Sequence, residues 1–462
     1  MKIQHTLIAL VILALLGGAL FYLQKNPVEN PSDAIPKEDL FSFQADELEE
    51  FRIEMPGQPA VVTRRVSAAP PPAEGEAASD GSNGEAKWEF ESPEGVAADS
   101  MLVQSFVDAL PAMKYTPLEE FAPESLAPYG LDQPAKKLEF KAKGKEPVTL
   151  LIGKENPSGY AKYGMYAGQP GVFLLDSIDN SALDKTLFDL RDKRVLPIDL
   201  NQATEMELRH QQTIRMRKLE NGNWDLEQPD VRTDHGTSNY FVTRLTGAQM
   251  KTVEAEEAGP LREYGLDRPV VRLTVTAPDG THTLLVGSKK DDGYYAKNSV
   301  WPHVFTINQS TYDMLLDEIH EFRNRYLFDF LTTTARRVEI DGAGHRFRFD
   351  KNGENWEDSS GSEQKTDASK VDVFLNSVHA LRIQQYTTDR PGSFGQYGLS
   401  QPWLTVKVTF GEDNQEETVL FGRRGDKFYA ARQGEPSVYE MSPNEPEALE
   451  KLLKELAGEQ VE

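Results

Sequence analysis

The residues in this chain that could do chemistry are few, and each has a plain structural reading beside the chemical one. Asp350-Lys351-Asn352-Gly353-Glu354-Asn355 opens like a calcium loop. Such a loop closes with a bidentate glutamate at its twelfth position, and that place holds Gly361. Glu220-Asn221-Gly222-Asn223 stands at the same point ahead of another tryptophan, so the recurring Asn-Gly reads as a hairpin turn. His320-Glu321 lacks the second histidine of a zinc-protease helix. Gly153-Lys154 and Gly287-Ser288 follow apolar strands without the earlier glycine of a phosphate loop; the spacing predicts strand-to-turn exits there. There is no Gly-x-Ser-x-Gly elbow, and there is no cysteine. Thiolate nucleophiles, disulfides, cysteine-based zinc or iron–sulfur sites and a lipidated cysteine anchor are therefore excluded. No metal or cofactor is expected.

Charge narrows the partners. The formal net charge is −24, which repels nucleic-acid backbones and argues against nucleic-acid binding. Two basic clusters stand out from this acidic background: Arg191-Asp192-Lys193-Arg194 and Arg323-Asn324-Arg325. Cations suit the carboxyl ends of helices, so one reading is helix capping combined with a salt bridge between modules. The other is a partner surface built from Arg191, Arg194, Arg323 and Arg325.

The elements that must position these residues begin with an anchor. From Thr6 to Leu23 there is no charge, and from Leu7 on every residue is apolar, Gly or Tyr. As a helix at about 1.5 Å per residue this run spans about 27 Å, close to the hydrocarbon thickness of a bilayer. Gly17 and Ala19 form a small-x-small pair of the kind a signal peptidase cleaves, but Leu20 to Leu23 continue the apolar run beyond it. The expectation is an uncleaved single-pass anchor over residues 1–23, with the bulk of the protein outside the cytoplasmic membrane. Residues 24–38 carry Pro27, Pro31 and Pro36 and read as a tether. Residues 67–85, with Pro70-Pro71-Pro72 and then Gly, Ala, Ser and Glu, read as a disordered insertion.

The rest of the chain is periodic. Tyr129-Gly130-Leu131-Asp132-Gln133-Pro134 returns as Tyr264-Gly265-Leu266-Asp267-Arg268-Pro269 and again as Tyr397-Gly398-Leu399-Ser400-Gln401-Pro402. Gly153, Gly287 and Gly422 close apolar runs in the same phase, and Tyr160-Ala161, Tyr295-Ala296 and Tyr429-Ala430 follow them. Phe106, Phe241 and Phe374 each lie 23 residues before the motif tyrosine, with Leu110, Leu245 and Val378 four further on. Trp88, Trp224 and Trp356 open the unit. Tandem duplication with a period of about 134 residues accounts for this many landmarks in phase.

In the third copy, strands are expected at 337–340, 346–349, 404–410, 417–421, 427–431 and 437–441. An amphipathic helix is expected at 368–381, and a last helix at about 446–456. Short strand-to-strand connections imply an α+β class: three tandem repeats of a mostly antiparallel sheet with two helices each, after one N-terminal transmembrane helix. The modules are placed at 39–192, 193–325 and 326–462. The Tyr-Gly-Leu-x-x-Pro motif is read as a tight turn, Gly supplying positive φ while Tyr and Leu pack inward; the other reading makes the tyrosine a ligand contact.

The stretch from that motif through Leu150-Leu151-Ile152-Gly153, Tyr160-Ala161, Val172-Phe173 and Leu190-Arg191-Asp192-Lys193 resembles the bacterial domain-of-unknown-function 4340 family, here in repeated form. The resemblance covers most of residues 40–460 and carries no catalytic residue to transfer. It implies an extracytoplasmic accessory protein with one membrane helix, associated with ABC-transporter permeases and gliding-motility-type auxiliary subunits. The functional expectation is a non-enzymatic binding or scaffolding subunit of an ABC-type envelope transporter in the inner membrane. The alternative is an envelope hydrolase acting on a polymer through carboxylates that the sequence does not locate. Asp132 and Asp267 share a repeat position, but the third copy has Ser400 there.

Overall fold

The computed structural model describes residues 36–66, 87–118, 125–361 and 366–459. The expected membrane helix at 1–23, the tether up to residue 35 and the insertion at 67–85 lie outside the described residues. Among the described residues no helix is long and apolar enough to cross a membrane. The chain divides into two compact units. One comprises Met1–Pro197, Gln249–Pro260 and Ser299–Ile307; the other comprises Ile198–Ala248, Leu261–Asn298 and Asn308–Glu462.

The strands fall into three sheets, and the described pairings are antiparallel. In the first unit, nine strands lie side by side in the order Lys87–Ser92, Val61–Val66, Leu48–Glu54, Lys136–Ala142, Val148–Glu155, Ala161–Tyr166, Phe173–Asp176, Lys114–Pro117 and Glu38–Asp39. In the second unit the third copy repeats the first eight places as Asn355–Asp358, His345–Asn352, Ala335–Gly342, Leu404–Phe410, Gln415–Arg424, Lys427–Arg432, Val438–Met441 and Gln385–Thr388. The second copy has Trp224–Gln228, Thr213–Lys218, Glu205–Arg209, Val271–Ala277, Gly280–Lys290 and Gly293–Asn298 in the same order within the second unit. Its short strand Thr252–Ala255 pairs with Val304–Asn308. Glu38, expected to end the tether, instead pairs with Tyr115.

Alternation explains why each sheet has one buried face. In Leu404–Phe410, Leu404, Val406 and Val408 are buried, while Thr405 and Lys407 between them are not. The buried face is covered by the middle helix of each copy: α1 (Ser100–Ala109), α2 (His235–Thr246) and α3 (Val371–His379). Each follows an aspartate whose carboxylate accepts backbone N–H groups: Asp99 and Asp234 at the caps of α1 and α2, and Asp367 at the short 3₁₀ turn leading into α3. Phe106, Phe241 and Phe374 are all buried in these helices, as the periodicity predicts, and Leu110, Leu245 and Val378 are buried a turn later. Phe106 meets Phe51 of the sheet edge-on at 5.2 Å.

The terminal helices are Gln309–Met314 and Glu445–Leu456 in copies two and three. In copy one that element is Ser177–Leu183, and a second short turn follows it in copies one and two, Leu187–Leu190 and Ile319–Glu321; in copy one the capping box of Thr186 and Asp189 starts it. In copy three the two edge strands, Asn355–Asp358 and Gln385–Thr388, escape the sequence reading; four residues are too few to show alternation.

Phe374 is fully buried in the third core. Its truncation in Phe374→Ala should cost about 3–5 kcal/mol. Urea unfolding monitored by hydrogen exchange should place the loss mainly on residues 326–459.

Candidate functional site

The strongest repeated signal, Tyr-Gly-Leu, is a packing device. A 3₁₀ turn ends at Tyr129, Tyr264 and Tyr397. Gly130, Gly265 and Gly398 follow in the left-handed region, at φ of 66°, 70° and 72°. Leu131, Leu266 and Leu399 are buried, and Pro134, Pro269 and Pro402 are half-buried beyond them.

The turn lies against the second repeated glycine. A Cβ placed on Gly153, Gly287 or Gly422 would sit 2.2, 2.2 or 2.4 Å from the carbonyl oxygen of Tyr129, Tyr264 or Tyr397. This accounts for one expectation that needs correcting. Gly153-Lys154 and Gly287-Ser288 are not strand exits; both lie inside strands, Val148–Glu155 and Gly280–Lys290, at points where the pairing register shifts. The glycine is there because another backbone passes over it.

The motif tyrosine packs edge-on against a strand tyrosine: Tyr129 on Tyr163 at 4.9 Å, Tyr264 on Tyr295 at 5.1 Å and Tyr397 on Tyr429 at 5.1 Å. In copy one the partner is Tyr163, not the Tyr160 that the sequence alignment selects. Register agrees, since Ile152 pairs with Gly164 as Val286 pairs with Ala296 and Phe421 with Ala430. Tyr160 is instead 77% exposed, in a turn that is longer in this copy.

The basic clusters sit at the junctions between copies. Arg191 is buried, with its guanidinium forked onto Glu256 at 2.9 and 3.1 Å and 3.3 Å from His303 Nδ1. Arg323 is likewise buried, forked onto Asp389 at 3.0 and 2.7 Å, with Ser437 Oγ at 3.4 Å and the Tyr386 ring beneath it. Arg194 and Arg325 are about half exposed and pair locally with Asp192 and Glu321. Sequence reasoning missed the partners Glu256 and Asp389. Their only signal is that they lie 133 residues apart, in phase with the arginines at 132.

The solvent-facing sides of the sheets carry cross-strand ion pairs: Glu50 with Arg64, Glu207 with Arg215 and Lys407 with Glu416. A cleft of about 780 Å³ opens on this side of the third sheet, lined by Glu339, Arg348, Lys407, Glu416, Ser360 and Gln433. Its carboxylates Glu339 and Glu416 face cations of neighbouring strands, so the groove presents a ladder of mixed charge. Asp350, from the calcium-like stretch, pairs with Arg337 in a hairpin, and its carboxyl sits below the usual range. Burial acts against that shift, and hydrogen bonds from Ser359 and Arg337 outweigh it. Asp132 and Asp267 are exposed on their turns.

Burial raises the carboxyls of Asp179, Asp317 and Glu445, but each belongs to the terminal segment of a different copy. Among the described residues no group of three or more His, Asp or Glu side chains could hold a metal.

Two outcomes test this geometry. Gly287→Ala must displace the Tyr264 carbonyl and should cost about 2 kcal/mol or more. Gly247→Ala, at a helical position with its nearest neighbour 3.8 Å away, should be neutral or slightly stabilising in the same urea titration. Glu207 is held below the usual carboxylate range: burial opposes this, and hydrogen bonds from Arg215 and Arg209 outweigh it. A depressed folded value gives stability above the unfolded pKa that is lost as pH falls through the folded one. Glu207→Gln should therefore lower the urea midpoint at pH 7, and the gap should narrow as pH falls below the ordinary carboxylate range.

The chain matches the family described as Domain of unknown function (DUF4340) over residues 88–239, 224–392 and 367–461. The first two segments begin at the equivalent tryptophans Trp88 and Trp224. No curated protein and no solved structure matches the chain. With three successive matches spanning most of its length, in step with the duplication seen in sequence and sheets, the chain belongs to the DUF4340 family.

Proposed function

We propose that this protein is a membrane-anchored extracytoplasmic binding or scaffolding protein, an accessory subunit of an ABC-type envelope transporter. The observation that carries the reading is the use made of its charged side chains. The two buried arginines tie one copy to the next, and cross-strand pairs clothe the outer faces of the sheets. Charge arranged in this way builds a series of modules with polar surfaces. The uncharged run from Thr6 to Leu23 supports attachment to a membrane. The association with a transporter rests on the family resemblance alone.

Affinity purification of the tagged full chain from mildly solubilised membranes should recover transporter permease or auxiliary subunits. Repeated recovery of the protein by itself would contradict the proposal. Protease added to spheroplasts should digest the region after residue 23 while an N-terminal cytoplasmic tag survives; a protected C-terminus would reverse the orientation.

A further inference from the structure

The junction between copies one and two and the junction between copies two and three are built alike. The residue before each buried arginine, Leu190 or Phe322, accepts the N–H of Asp99 or Asp234. Two residues after the arginine, the carbonyls of Lys193 and Arg325 accept the N–H groups of Met250 and Ile383. The guanidinium then reaches a carboxylate of the following copy, Glu256 or Asp389, just beyond that copy's short edge strand.

The same positions differ elsewhere in the chain. Leu456 accepts the N–H of Asp367 as Leu190 and Phe322 do for their partners, and the next residue is Ala457 where the others have arginine. In copy one the strand Lys114–Pro117 is followed by Leu118, where the others have Glu256 and Asp389. Gly171 stands just before Val172, where the others have His303 before Val304 and Ser437 before Val438. Copies one and two thus carry the cation, and copies two and three carry its seat.

We propose that these two latches are the pairing code between copies, so that copies associate in order within one chain and do not use this contact to join head to tail with a second chain. A bidentate Arg–carboxylate pair suits the role because it fixes both distance and orientation. Its burial penalises any neighbour that leaves the guanidinium without a carboxylate.

The test is amide exchange on the purified full-length chain in detergent. Arg323→Ala and Asp389→Ala should each speed exchange of the Ile383 amide by about tenfold or more, with the double variant no faster than either single one. The Val408 amide, deep in the third sheet, should exchange as before. Arg191→Ala should do the same at Met250. Arg346→Ala, which removes a fully surface pair with Asp341, is the control and should leave Ile383 unchanged. Unchanged exchange at Ile383 in Arg323→Ala, or additive effects in the double variant, would overturn the latch. Sedimentation should show no head-to-tail growth with concentration. Growth that Arg323→Ala abolishes would overturn the pairing within one chain. Neither readout involves a transporter partner, so its failure is separable from that of the functional proposal.

Discussion

Three times in this chain a tyrosine carbonyl occupies the space where a strand residue would carry its Cβ. The contact requires a left-handed glycine after the tyrosine and a bare glycine in the strand. It fixes where the turn lies on the sheet, and thereby which leucine enters the small cluster on that face. In copy three that cluster holds Leu399, Tyr429, Ala431 and Val438; in copy one it holds Leu131, Met165 and Val172. The tyrosine pair beside it then follows. In copies one and three the turn thus adds a small apolar patch on the face opposite the main core that the middle helix covers.

The second constraint is electrostatic and acts between copies. Burying a guanidinium is costly without a partner in good geometry, and Arg191 and Arg323 each find a forked carboxylate supplied by the next copy. The second junction has further support: Arg232 pairs with Asp329 and approaches Glu435, while Arg432 pairs with Glu435 and approaches Glu417. The corresponding place in copy one, Ala97 for Arg232, carries no charge. The joints therefore share one latch and differ in their reinforcement.

Much of the fold was legible because the landmarks obey local rules. Phe106, Phe241 and Phe374 announce a helix face by their spacing to the next apolar residue, and Leu404–Phe410 announces a strand by alternation. What was not legible depends on distant partners. Gly153 looked like the end of a strand because nothing nearby in sequence reveals the Tyr129 carbonyl above it. Tyr160 looked equivalent to Tyr295 because a longer turn in copy one put the true equivalent, Tyr163, three residues later. Arg191 and Arg323 were visible as clusters, yet their role depends on Glu256 and Asp389, which lie about 65 residues further on beside strands too short to leave a pattern.

The claim beneath all of this is that one packing solution is used three times. An experimental structure at a resolution that fixes carbonyl positions tests it most directly. The account predicts that the Tyr129, Tyr264 and Tyr397 oxygens each rest against the strand glycine at Gly153, Gly287 and Gly422, with the preceding helices superposing on Phe106, Phe241 and Phe374. A copy in which the tyrosine carbonyl points elsewhere, or in which its phenylalanine occupies a different site, would contradict it.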